Sequence, residues 1–157
     1  MLSDKLVSEL EMIYELFQNS SDCLAEEDSN YSPKEGMMTV AQLVAHVART
    51  IDWFMNGAFG PQGFDLDFEG QKKKILEVKS LSSARKLLQE AIEKAIKIVS
   101  GKSDEELNRP LSKGAVMGGE PRAAIIGAIA DHTAHHRGAL TVYSRLLGKT
   151  PRMPYGD

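Results

Sequence analysis

Apolar residues return at helical spacing in four long stretches of the chain. In the first, about Ser3 to Ser21, Leu6, Leu10, Ile13 and Phe17 form a stripe, while Glu9, Glu11, Glu15 and Gln18 fill the other positions. Leu24 extends that stripe, and the polar run Glu26 to Tyr31 with Ser32-Pro33 predicts a loop. Thr39-Val40-Ala41-Gln42 matches a capping box, so a second helix begins there and is expected to end near Gly57 or Gly60-Pro61. Val40, Leu43, Val47 and Phe54 are its apolar arc. A third helix, about Leu81 to Ser100, turns Leu81, Ala84, Leu88, Ala91, Ile92, Ala95 and Val99 inward, with Gly101 as its stop. Ser103-Asp104-Glu105-Glu106 is a second capping box that opens one short turn. The last helix covers Ala123 to Gly148, with Ile125, Ile129, Leu140, Tyr143 and Leu147 at helical spacing and Pro121 placed in its first turn.

Gly60 to Lys79 reads as a long connection, a feature that usually crosses a bundle or contributes to a site. Its charge runs, Asp65, Asp67, Glu69 and then Lys72, Lys73, Lys74, read as solvated. The alternation of Phe64, Leu66 and Phe68 suggests a short extended segment lying over an opening. Four amphipathic helices with one such link predict an all-α fold: a four-helix bundle with a long crossover between helices 2 and 3. A chain of 157 residues fits one domain, 1–157.

Composition changes this picture little. Net charge is −3, and the basic residues are scattered among acidic ones, so there is no nucleic-acid footprint. The opening MLSDKLVSELEMIYELF is charged throughout and is neither a signal peptide nor a membrane span. A single cysteine, Cys23, forms no internal disulfide and fits a reducing cytoplasm; with no histidine near it in sequence, it reads as an inert thiol.

The chemistry gathers in the last helix, where three of the four histidines (His132, His135 and His136) fall within five positions. With His132 at zero on a wheel of about 100° per residue, Ile125, His136 and Tyr143 lie within roughly 40° of it. His132 and His136 therefore leave the middle of the inward face one turn apart, while His135 sits near its edge, as an edge residue or a donor to a ligand. Two imidazoles at i and i+4 can serve one ion, and a first-row metal needs at least one more ligand. His46 is the only histidine left. It lies at the margin of the second helix's arc, stacked with Thr50, Trp53 and Gly57, which suits the lip of a pocket. The competing reading is a pair of core histidines hydrogen-bonded to backbone or water. Trp53 and Tyr143 read as core aromatics; Asp131 and Arg137 read as exposed or interhelical ion-pair partners.

His46 in AQLVAHVARTIDWF, taken with DHTAHHRGALTVYSRLLG, resembles the DinB-like superfamily of small bacterial four-helix bundles. The resemblance spans nearly the whole chain. Its most specific part is a histidine, three residues, then His-Arg-Gly, here His132, His136, Arg137 and Gly138. It implies a divalent metal (nickel, zinc or iron) held by His46, His132 and His136, and a homodimer. It also implies a small-molecule substrate, with some relatives acting as S-transferases on low-molecular-weight thiols. The family often carries glutamine after His-Arg-Gly, where this chain has Ala139. Three imidazoles leave an ion open positions, as catalytic rather than structural sites do. The function expected is a metal-dependent enzyme that activates a thiol or water against a small electrophile. The alternative is a non-catalytic metal- or small-ligand-binding protein, favoured by the near absence of Asp and Glu on the inner faces of the second and last helices.

Overall fold

The computed structural model describes residues 1–114 and 116–156. Its helices are α1 (Leu2–Ser21), α2 (Val40–Phe59), α3 (Phe68–Leu76), α4 (Leu81–Ser100), α5 (Asp104–Asn108) and α6 (Ala124–Leu146). The four long ones follow the apolar periodicity. Leu6, Leu10, Ile13 and Phe17 of α1 are buried, and so are all seven residues assigned to the inner face of α4. The capping box of α2 is formed: Thr39 Oγ1 accepts the Gln42 amide at 3.2 Å, and the Thr39 amide donates to Gln42 Oε1 at 2.9 Å. Ser103 and Glu106 cap α5 in the same way.

α1 packs on α4 and α6, and α2 packs on the same two, so α1 and α2 lie diagonally across the bundle. Polar contacts fix the directions. Ser29 accepts both the Leu81 amide and the Ala41 amide, which places the starts of α2 and α4 side by side. Lys94 reaches Asp52 and Asn56, so the two helices run parallel. Arg85 donates to the carbonyls of Ser21 and Leu24, bringing the end of α1 to the start of α4. Ala123 donates to the Leu107 carbonyl and Tyr143 to the Met38 carbonyl, which runs α6 antiparallel to α2. Parallel neighbours need a connection that returns along the bundle, and residues 60–80 supply it.

That crossover departs from the expected plain connection, because residues 68–76 form a helix. Asp67 Oδ1 accepts the Gly70 amide at 2.9 Å and caps α3, and Lys73 and Lys74 sit favourably in its last turn. The lysines are solvated as expected, but they ride on a helix rather than a loop. Phe64, Leu66 and Phe68 do not form a strand: residues 63–67 are irregular and Phe68 opens α3. The segment is pinned to α2 instead. A Cβ on Gly57 would stand 2.2 Å from the Phe64 ring, so glycine is what lets this ring lie against the helix. Trp53 Nε1 donates to the Asp65 carbonyl at 2.7 Å, and Gln42 Nε2 donates to the Leu76 carbonyl at 3.2 Å.

Pro121 also differs from expectation. Backbone pairing of Leu111 with Glu120 and of Arg122 with Arg109 holds Pro121 in an isolated bridge with Pro110, and α6 starts three residues later. At the other end Gly148 takes a positive φ of 75° and stops α6. Lys149 then pairs with Asp28, Arg152 with Asp22 at 2.7 Å, and Asn19 donates to the Pro154 carbonyl at 3.0 Å. These bonds tie the C-terminal segment to the end of α1. No helix of the described residues is long and apolar enough to cross a membrane.

Candidate metal centre

The antiparallel seam of α2 and α6 brings His46, His132 and His136 together. Each offers one ring nitrogen, and these atoms all lie within 4.8 Å of one another. Ring centroids are 4.9 Å apart for His46 and His132, 4.7 Å for His46 and His136, and 4.5 Å for His132 and His136. The i, i+4 spacing on α6 and the margin position on α2 produce this cluster, as the wheel argument requires.

The Nε2 atoms of His46 and His132 stand 3.1 Å apart. Two nitrogens bound to one ion at about 2.0–2.1 Å, with an angle between octahedral and tetrahedral, are roughly 2.9–3.4 Å apart. The observed separation falls inside that window, so this pair of donors fits a single first-row ion, and His136 offers a third nitrogen within 4.8 Å of both. His132 Nδ1 is buried with no hydrogen-bond partner among the described residues, so no carboxylate or carbonyl raises the basicity of this ring. The imidazoles are held neutral, the state that ligates. Burial pushes His132 down to about 3, helped by His136, His46 and His135, and pushes His136 down to about 4, helped by His46 and His135. Burial lowers His46 as well.

His135 is exposed, with its ring 4.8 Å from that of His136, and stands outside the cluster. Arg137 makes no ion pair among the described residues. It donates to Ser20 Oγ at 3.5 Å and to the Tyr155 hydroxyl at 3.4 Å, joining α6 to α1 and the C-terminal segment. Asp131 is exposed, and Cys23 is half-buried at the edge of the core.

The three histidines form part of the wall of a cavity of about 870 Å³ between α2, α6, α3 and the segment Gly36 to Met38. Thr50 and Trp53 line it beside His46, as the wheel anticipates. Tyr143 lines it too, but its hydroxyl donates to the Met38 carbonyl at 3.0 Å and so holds the cavity's rim. Leu43, Phe54, Phe68 and Ile75 make most of the remaining wall apolar, Arg49, Gln71 and Lys72 are its polar members, and among the described residues no Asp or Glu lines it. Lys113, Gly114 and Val116, from the loop before α6, line a different cavity with Gly57, Phe64 and Arg122. Sequence reasoning missed Arg49 and all of α3 as cavity walls. Arg49 could have been found three residues from His46, whereas for α3 the capping Asp67 was the one signal, because Lys72 interrupts the row of Phe68, Ile75 and Leu76.

Comparison with known proteins agrees with this architecture. Residues 9–140 match the family model of the DinB superfamily. Among solved structures, YfiT from Bacillus subtilis, described as a probable metal-dependent hydrolase with an unusual four-helix bundle topology, superposes with a TM-score of 0.69 at 19% identity. That match covers 94% of this chain and 89% of YfiT. The DinB-like protein YjoA, also from Bacillus subtilis, gives a TM-score of 0.66 at 21% identity, over 93% of this chain and 94% of its own. At these identities the likeness concerns the fold alone. No curated protein matches the chain.

Proposed function

Since the chain belongs to the DinB superfamily, we propose that His46, His132 and His136 hold a divalent ion and that the protein is a metal-dependent enzyme acting on a small electrophile with a thiol. The observation that carries this reading is three neutral imidazole donors converging in the wall of a cavity, with no fourth protein ligand beside them among the described residues. When bound, a divalent ion on neutral ligands keeps its charge and lowers the pKa of a coordinating thiol or water. The imidazoles fix the ion at one end of the cavity. The apolar wall of Leu43, Phe54, Phe68 and Ile75 offers a surface for the electrophile's body.

The absence of carboxylates from the wall favours thiol over water as the nucleophile. No side chain there is placed as a strong general base, so ionisation rests on the ion and on the nucleophile's own acidity. A thiol ionises near pH 8.5, whereas water needs a far larger shift, from about 15.7. YfiT's description as a probable hydrolase makes water the second candidate. Zinc-loaded and nickel-loaded protein is to be assayed with cysteine and other low-molecular-weight thiols against chloro-dinitrobenzene, and separately with nitrophenyl esters. Metal-dependent thiol consumption that His136→Ala abolishes is the expected result. Ester cleavage alone replaces thiol with water. Inactivity towards both substrate sets, in protein that holds its metal, assigns the site to binding rather than catalysis.

A further inference from the structure

Arg49 lies three residues beyond His46 on α2, so both side chains leave the helix toward the same cavity. Its Nε–H is buried and has no hydrogen-bond partner among the described residues. A buried N–H donor without an acceptor is destabilising, and folded proteins satisfy most such groups; the rest of the Arg49 side chain is half-buried at the cavity. Neither acid near it pairs with it. Asp52 and Asp65 share a smaller neighbouring cavity with Arg49, but Asp52 pairs with Lys94 at 3.4 Å, and Asp65 Oδ1 accepts the Asp67 amide at 2.9 Å. Among the described residues the charged ones in the main cavity are Arg49 and Lys72, both cationic and with no counter-charge in the wall. Around them the surface is apolar. Met37, Phe68 and Leu76, three of the large hydrophobic side chains most exposed to solvent, lie in this wall.

We propose that the cavity takes an apolar small molecule bearing a carboxylate. The carboxylate is held by the Arg49 guanidinium, and the apolar body lies along Trp53, Phe54 and Phe68. A guanidinium presents paired N–H donors that match a carboxylate's two oxygens, and a partly dehydrated site strengthens that bond. Lys72, exposed on α3, adds positive potential at the mouth and draws anions in. This inference rests on reading the cavity as the substrate site, and it gives that substrate a chemical class.

The test uses the full chain, metal-free and zinc-loaded, with 4-phenylbutyrate and the matched alcohol 4-phenyl-1-butanol as probes. Trp53 is the only tryptophan and lines the cavity, so its fluorescence reports binding, with calorimetry as a second readout. In metal-free protein the acid is expected to bind about tenfold or more tightly than the alcohol. Arg49→Gln should reduce the acid to the level of the alcohol while leaving the alcohol's affinity unchanged, which also shows that the variant is folded. If Arg49→Gln does not fold, Arg49→Lys replaces it and should lose most of the preference with the charge kept. Equal affinities in the wild type, no binding of either probe, or a preference that survives at Arg49 variants overturns the inference. A preference seen only with zinc and insensitive to Arg49 puts the carboxylate on the ion; that overturns the anchor while the metal site stands. A preference lost in Arg49→Gln, in a protein that takes up no zinc, upholds the anchor and removes the metal reading.

Discussion

Toward α4, α2 turns Ala41, Ala45 and Ala48, on the row that continues to Asp52 and Asn56, whose side chains meet Lys94. Toward α6 it turns His46, flanked by Arg49, Thr50 and Trp53. The first seam is made of small side chains that let the parallel helices approach closely, and α2 packs most extensively on that side. The second seam carries long polar and aromatic groups around a cavity of about 870 Å³, and atoms such as Arg49 Nε and His132 Nδ1 are buried there without partners among the described residues. One helix thus has a sealed side that holds the bundle together and an open side whose groups are unsatisfied within the protein. Natural structures depart from full polar satisfaction chiefly at functional sites. The unsatisfied side is where a ligand belongs.

The comparison breaks most visibly if size is added to each seam. Ala45→Leu should destabilise the protein by about 1–3 kcal/mol in urea denaturation, because the α4 side has no room for three more carbons. Thr50→Leu on the open side should change stability by no more than about 0.5 kcal/mol, since its side chain extends into the cavity. Equal penalties at the two positions would mean that the seams do not differ.

A pH series sharpens the comparison at intermediate size. The folded pKa values of His132 and His136, about 3 and about 4, lie below the ordinary 6.5. As pH falls below about 6.5, the unfolded chain takes up protons that the folded chain refuses, so stability of the metal-free protein is full above that pH and declines toward pH 4. His132→Ala should flatten this decline in denaturant midpoints measured from pH 7 to pH 4. A local effect is expected at the rim. Tyr143→Phe removes the bond to the Met38 carbonyl and should cost about 1 kcal/mol, with hydrogen exchange rising first in the Gly36 to Met38 segment.

The long helices and the histidine cluster were legible because each is written as a repeat within one segment. Leu6-Leu10-Ile13-Phe17 states a helix and its inner face, and His132 with His136 states a shared direction. α3 was not legible for a physical reason: in FEGQKKKIL only Ile75 is buried, so the segment lacks the apolar stripe that marks the other helices. Its helix depends on the Asp67 cap and on packing against α2. Pro121 misled because backbone pairing with distant residues overrode its fitness for a first helical turn. The isolation of Arg49 could not be read at all. It depends on where Asp52 and Asp65 find their partners, and those contacts exist only in three dimensions.

The central claim is that the open seam of α2 and α6 is a three-histidine metal site. Elemental analysis of untagged protein, alongside His46→Ala, His132→Ala and His136→Ala, tests it directly. About one ion per chain is expected in the wild type, with a large loss in each of the three variants. A wild type that cannot be loaded with zinc, nickel or iron, or a variant that keeps its full complement, contradicts it.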